Sequence, residues 1–269
     1  MPELPEVETT KNAILPFKGK TLKRIIVNNP SLRWPIDEKL INKIKDVKIL
    51  SISRRAKYIF LNLDEMTIII HLGMTGTFRI QKLGSNETRK HDHVVFEFDK
   101  EILIFNDPRR FGSLHLSTDP QYHFLIKHLG PEPLEDDFNS EYLYKKIKKA
   151  GVSTKSFLMN QKNVVGIGNI YASEILHKAS INPLRTVDSL KKEHLKSIID
   201  ATKYILKKSI SVGGTTIRNH LQPDGKLGYF SQKLQVYGKS KYNCNKCDNL
   251  ITLINISNRS TYFCSNCQR

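Results

Sequence analysis

The chain begins Met1-Pro2-Glu3-Leu4-Pro5-Glu6-Val7-Glu8, which puts an imino acid in second place among three carboxylates. Proline there permits removal of Met1 and leaves a secondary amine at the chain start. An α-amino group titrates at about 7.7–8.0, so a usable fraction is uncharged nucleophile near neutrality. A secondary amine that attacks a sugar C1′ gives an iminium, cationic without a further proton and so a ready electron sink. Glu3 stands beside it as a proton donor. On its own the stretch also reads as a helix start. Proline suits the first turn, acidic residues complement the helix dipole, and Leu4, Val7 and Leu15 supply an apolar stripe.

The second chemical group lies at the other end. Cys244-x2-Cys247-x16-Cys264-x2-Cys267 pairs two Cys-x2-Cys turns, each able to aim two thiolates at one ion. Two disulfides or a redox pair are the competing readings. The spacing, and the confinement of all four cysteines to the tail, favour one structural Zn2+. The intervening Leu250–Ile256 and Thr261–Phe263 are predicted to form a hairpin with Ser257-Asn258-Arg259-Ser260 at its tip. The metal would hold this basic hairpin, with Arg259, Lys239, Lys241 and Lys246, against phosphate.

Other motifs point to the same kind of partner. Val164-Val165-Gly166-Ile167-Gly168-Asn169 reads as a tight turn entering a helix that Asn169 caps, with exposed N–H groups forming an anion site. Lys155 lies on a short helix just upstream. The loops His71–Gly76 and Asn106–Gly112 carry Met74, Arg109, Arg110 and Phe111. Met74 and Phe111 are either core residues or wedges that enter a base stack, with arginine filling the space of an extruded base. Extrusion costs a few kcal/mol, and stacking on an aromatic returns about 1–3 kcal/mol. Arg54-Arg55-Ala56-Lys57-Tyr58 is a basic cluster at a strand junction. His91 is expected on phosphate, with Asp92 and His93 in structural bonds.

The whole chain, 269 residues, carries 43 Lys+Arg against 26 Asp+Glu, a net charge of +17. That excess favours a polyanionic partner. No apolar run reaches the roughly 20 residues that cross a bilayer, and the acidic start is unlike a signal peptide. Short β-branched runs at Arg24–Val27, Val47–Ile52, Tyr58–Leu63, Met66–Leu72, Thr77–Ile80, Val94–Phe98, Ile102–Phe105 and Ser113–Leu116 predict an antiparallel sandwich or barrel. Helices are predicted over Pro120–Leu129, Ser140–Ala150, Thr154–Asn160, Ile170–Ala179 and Asp188–Ser211. The expected division is 1–130, a linker 131–139, a helical domain 140–233 and a finger 234–269.

Taken in order, these motifs, with Gly213-Gly214-Thr215-Thr216 and Asp224–Phe230, resemble bacterial formamidopyrimidine-DNA glycosylases along the whole chain. The resemblance implies an α+β multidomain fold: an N-terminal helix with an antiparallel β-sandwich, a helix–two-turns–helix domain and a C-terminal zinc-finger hairpin. It implies a bifunctional glycosylase/AP lyase that removes oxidised purines from damaged double-stranded DNA. Pro2 would be the Schiff-base nucleophile, Glu3 the proton donor that helps open the sugar, Lys57 the donor in β-elimination and Arg259 the one in δ-elimination. Arginine is effectively never deprotonated, so Arg259 is read mainly as a phosphate clamp. Met74, Arg109 and Phe111 would fill the gap, and His91, Lys155, Asn169 and Arg259 would grip phosphates. The Thr215–Tyr229 segment would cover the extruded base. The family often carries a lysine where this chain has Ala150, and Lys148 or Lys149 is expected to take that contact. A cytoplasmic, nucleoid-associated monomer without membrane or nucleotide cofactor is expected. The rivals are a sister enzyme for oxidised pyrimidines, a non-catalytic DNA module and an RNA-binding zinc ribbon. Leu4 and the Met74/Arg109/Phe111 set favour the purine enzyme.

Overall fold

A computed structural model describes residues 1–85, 87–148, 150–215 and 230–269. It groups the chain into two compact units, 1–127 with 213–229 and 128–212 with 230–269. Gly213–Thr215, just past the long helix, thus belong with the first unit. The cysteine hairpin belongs with the helices. The stretch expected as a linker is part of the second unit, with Phe138 fully buried in its core.

The first unit opens with helix α1 (Leu4–Ile14), which buries Leu4, Val7 and Ile14. Burial of each such side chain is worth roughly 1.5–3 kcal/mol. Nine strands follow: β1 (Thr21–Val27), β2 (Lys45–Lys48), β3 (Ser51–Arg55), β4 (Tyr58–Asn62), β5 (Thr67–His71), β6 (Thr77–Lys82), β7 (Asp92–Glu97), β8 (Glu101–Asn106) and β9 (Ser113–Ser117). A short helix, α2 (Glu38–Ile41), was not anticipated; Asp37 caps it by accepting from the Leu40 N–H. The strands form two antiparallel sheets, β2-β1-β7-β8-β6 and β3-β4-β5-β9. Leu22, Val94, Phe96 and Phe105 from one meet Ile59, Leu61, Ile68 and Ile70 from the other in one core. The predicted run Val47–Ile52 is two strands in different sheets. Ile49, fully buried and bonded through its N–H to Lys20 O at 3.0 Å, marks the crossing.

In the second unit α3 (Ser140–Ile147), α4 (Thr154–Met159), α5 (Asn169–Lys178) and α6 (Lys192–Ser211) enclose a core around Tyr171, Ile175 and Leu206. The hairpin β10 (Thr252–Ile256) and β11 (Arg259–Phe263) packs on α5. The helix predicted over 120–129 is a run of turns. Its aromatic residues Tyr122 and Phe124 face solvent, and only Ile126 supplies a buried anchor, too little to fix a helix. The long helix begins at Lys192, because Val187–Ser189 forms a separate 3-10 turn. The first helix of this unit stops at Ile147 rather than at Ala150.

Candidate functional site

At the chain start, Glu3 N donates to Glu6 Oε2 at 2.9 Å, so the first turn is locked by a carboxylate reaching back. Pro2, Glu3 and Glu6 are all buried. The other Glu6 oxygen accepts from Thr215 N at 2.7 Å, which ties residue 215 to the helix start. Burial pulls the amino terminus below its ordinary value. The nearby carboxylates of Glu3 and Glu6 oppose that shift, and Lys57 and Arg109 add to it. Four residues singled out by different motifs therefore share one electrostatic neighbourhood.

Lys57 owes its place to a hairpin. Arg55 pairs with Tyr58, leaving Ala56 and Lys57 as the turn between β3 and β4, and Ala56 takes a left-handed φ of 55°. Lys57 is buried. Arg54 spans from α1 to this turn, donating to Glu8 Oε2 at 2.7 Å and to Ala56 O at 2.8 Å.

Met74, Arg109 and Phe111 line one open cavity of about 740 Å³ with Met1, His71 and Arg33. Met74 and Phe111 are exposed, so the wedge reading is favoured over the core reading. The Arg109 guanidinium lies over the Phe111 ring at 4.8 Å. Asp107, which sequence reasoning passed over, organises both loops. Fully buried, it accepts from Thr75 Oγ1 at 2.5 Å and from Gly112 N at 2.7 Å, while Arg109 N donates to that same Thr75 oxygen. Its one available signal was a lone acid in a basic loop. Gly73 is required where the loops touch, because a Cβ there would lie 2.3 Å from the Phe111 carbonyl carbon and its φ is 64°. His71 Nδ1 accepts from Gly73 N at 3.0 Å, and burial lowers this imidazole to about 4.

His91 has a φ of 75° beside the irregular pairing of β7 with β8 and is half-buried. Asp92 is held by Arg79 at 2.8 Å, and the His93 ring meets Asp107 O at 2.8 Å. Lys149 and residues 216–229 lie outside the described residues, so their expected roles have no geometry here.

In the second unit Lys155 and Asn169 converge on the hairpin. Lys155 is buried and donates to Ser260 O at 3.1 Å and Thr261 Oγ1 at 2.6 Å. In place of the expected phosphate grip it anchors the strand that begins with Arg259. Asn169 donates to the same Ser260 carbonyl at 3.0 Å, and Gly168, not Asn169, is the helix cap. Lys246, expected on phosphate, donates instead to His177 O at 3.0 Å. The tip is tighter than expected. Ser257 and Asn258 alone turn the chain, both with positive φ, and Arg259 is exposed opposite Ile256. Glu174, also unforeseen, is buried and accepts from the backbone N–H groups of Gln235, Val236 and Tyr237 at 2.8–2.9 Å. It fixes the strand of chain that leads into the cysteine module.

The four cysteine sulfurs lie within 4.8 Å of one another and form no disulfide. Tetrahedral Zn–S bonds of about 2.3 Å separate sulfurs by about 3.8 Å. The Cys244–Cys267 and Cys247–Cys264 distances of 3.9 and 3.4 Å fit that geometry. A backbone N–H from Asn249 heads the contacts that lower the Cys247 thiol to about 6, toward the thiolate a metal needs. The His177 ring stands 3.5 Å from Cys244 Sγ, placed to orient that ligand. The donor set fits one structural zinc ion.

The chain matches three family patterns in sequence. These are the formamidopyrimidine-DNA glycosylase N-terminal domain over 1–114, the formamidopyrimidine-DNA glycosylase H2TH domain over 129–220 and the zinc finger found in FPG and IleRS over 244–269. It is 46% identical to the formamidopyrimidine-DNA glycosylase of Hydrogenovibrio crunogenus, covering all of this chain and 97% of that one. It is 45% identical to that of Escherichia coli over the full length of both. Among solved structures, the Lactococcus lactis Fpg in complex with an abasic site containing DNA superposes with a TM-score of 0.91, 34% identity and 99% coverage of both chains. The wild-type Lactococcus lactis protein with an N7-benzyl-Fapy-dG containing DNA gives a TM-score of 0.91 at 35% identity over the full length of both. The α1-led sandwich, the helical unit and the four-cysteine hairpin are the parts these relatives share, and the chain belongs to the formamidopyrimidine-DNA glycosylase family.

Proposed function

We propose that this protein is a DNA glycosylase with AP lyase activity that excises oxidised purines from duplex DNA in base excision repair. The observation that carries the reading is the amino terminus, set beside Glu3, Lys57 and Arg109 and lining the same cavity as Met74 and Phe111. A nucleophile, two proton-handling side chains and a wedge set share one unit of a chain from this family. Its bacterial relatives support a cytoplasmic place of work on the chromosome.

The chemistry starts when the flipped lesion presents C1′ to the Pro2 nitrogen, freed by loss of Met1. That nitrogen forms a bond to C1′, the base leaves with the bonding pair, and Glu3 supplies a proton toward the sugar ring oxygen. The resulting iminium withdraws electrons and acidifies C2′–H. Loss of that proton expels the 3′ phosphate, with Lys57 handling the proton, and a second elimination expels the 5′ phosphate. Arg259 clamps the departing phosphate charge, and Lys155 and Asn169 hold its strand. His91 and Lys149 are proposed as further phosphate contacts, and 1–130, 140–233 and 234–269 as the working domains.

Zinc supplies no reaction step in this scheme; bound by Cys244, Cys247, Cys264 and Cys267, it stiffens the hairpin that presents Arg259. Incubation with an 8-oxoguanine:cytosine duplex and borohydride is expected to trap a covalent complex whose cross-linked peptide carries Pro2. Faster excision of thymine glycol than of 8-oxoguanine would favour the sister activity on oxidised pyrimidines.

A further inference from the structure

Helix α6 has 20 residues, about 30 Å of axis. One side is apolar and buried through Leu195, Ile198, Ile199, Ile205 and Leu206. The other side carries Lys192, Lys196, Lys203, Lys207 and Lys208 against Glu193 and Asp200. At about 100° per residue, Lys192, Lys196, Lys203 and Lys207 fall in a stripe about 60° wide. Lys196 pairs with Asp200 at 2.7 Å and Lys203 reaches Asp136 at 3.8 Å. Lys192, Lys207 and Lys208 have no ion pair among the described residues, so the face keeps a net positive charge.

Two tyrosines stiffen this face. The Tyr204 ring, 48% exposed, has the Lys178 ammonium at 4.6 Å and that of Lys208 at 5.4 Å, beside a cavity of about 390 Å³. Tyr144 on α3 has Lys148 at 4.5 Å and Lys192 at 5.7 Å. Ammonium groups already seated on rings lose less freedom when they bind an anion. Lys178 ends α5, whereas Asn169 begins it, so this face lies at the opposite end of that helix from the Asn169–Ser260 contact.

We infer that the outer face of α6, with Lys178 and Tyr204, is a second, sequence-independent binding surface for duplex DNA. Lys192 to Lys207 runs about 22 Å along the axis, a length over which a duplex offers one charge per about 1.7 Å. Lysine suits such a surface, since a point charge on a flexible stem meets a phosphate without fixed register. A lipid surface would call for a stripe of large apolar groups, and Tyr204 is the exposed aromatic on this face of the helix. A molecule holding one duplex in its reactive site could then engage another segment and transfer to it before releasing the first.

The test follows dissociation of a fluorescent undamaged duplex from the full-length zinc-loaded protein while unlabelled duplex is raised. The expected rate climbs in proportion to competitor. In a K178Q/K196Q/K207Q/K208Q variant that dependence falls about tenfold, while the rate extrapolated to zero competitor is unchanged; four lost phosphate contacts lower the salt slope of the competitor effect by about 3.6. A rate indifferent to competitor, or equally responsive in the variant, overturns the inference. So does acceleration by polyglutamate or anionic vesicles that exceeds acceleration by duplex, which assigns the face to an acidic protein or a membrane. Single-turnover nicking of lesion duplex by the same preparations is unaffected by the four substitutions; its absence from the parent protein would overturn the glycosylase reading and leave the transfer result standing.

Discussion

Arg54 donates to Glu8 at 2.7 Å and, through a second nitrogen, to the carbonyl of Ala56 at 2.8 Å, so one guanidinium ties α1 to the turn that carries Lys57. Burial works against the Glu8 carboxylate, but hydrogen bonds from Lys11 and Arg54 hold it below the usual range. Replacing Arg54→Leu leaves Ala56 O and one carboxylate oxygen short of a donor, at a cost of about 1–3 kcal/mol. The larger effect falls on Lys57. A misplaced general acid slows a reaction about 100-fold for a displacement near 1 Å. Rapid-quench assays of Arg54→Leu are expected to show strand cleavage slowed by roughly 10- to 100-fold, with base release on undistorted sites slowed less.

Asp107 is expected to matter more for lesion recognition than for chemistry. Asp107→Asn turns an amide N–H2 toward either the Thr75 hydroxyl or the Gly112 N–H, and one of those bonds is lost. Because both loops hang on this carboxylate, affinity for an abasic-analogue duplex is expected to drop at least about tenfold, the equivalent of one buried hydrogen bond at about 1.4 kcal/mol. Binding to undamaged duplex, which needs no wedge, is expected to change little. Equal losses on both duplexes in a titration would contradict the placement of Met74, Arg109 and Phe111 as gap fillers.

Removing the metal tests the hairpin. Chelation, or Cys244→Ser, is expected to release one zinc ion per chain and to melt β10–β11, whose own core is little more than Val236, Ile251 and the cysteines. DNA affinity should fall with it, because Arg259 loses its support. Retained binding after stoichiometric zinc loss, measured by a metallochromic dye beside a binding assay, would show that the hairpin is dispensable.

Acid should weaken the fold through His71. Burial, then the charges of Lys57, Arg33 and His115, lower this imidazole from 6.5 to about 4. Between those values the unfolded chain binds a proton that the folded chain refuses, so stability is complete above about 6.5 and declines as the pH falls toward 4. The decline from this one residue approaches about 3 kcal/mol at most. Urea midpoints at pH 7.5, 6 and 5 are expected to fall in that order, and more shallowly in His71→Phe.

Much of this was legible from residue types and spacing. The cysteine spacing announced the metal site, and alternating β-branched runs announced the sheets. Met74 and Phe111 could be named from the glycines around them. The rest depended on long-range contacts that no local pattern encodes. Lys155 looked like a phosphate grip because a lysine at a helix start is normally solvated; only its hydrogen bonds to Ser260 and Thr261, more than a hundred residues away, turn it inward. Glu6 meets Thr215 across a separation of 209 residues, and Glu174 meets Gln235–Tyr237 across about sixty. The run 47–52 read as one strand because its apolar content is continuous, yet Ile49 is the point where the chain changes sheets.

The central claim is that the leading imino nitrogen attacks the sugar. Its most direct test is borohydride trapping with peptide mapping, carried out on the mature protein and on a form extended by one residue ahead of Pro2. A cross-link on Pro2 is predicted in the first, and loss of both trapping and strand cleavage in the second. Undiminished nicking by the extended form, or a cross-link mapped to Lys57 or any other lysine, would contradict it.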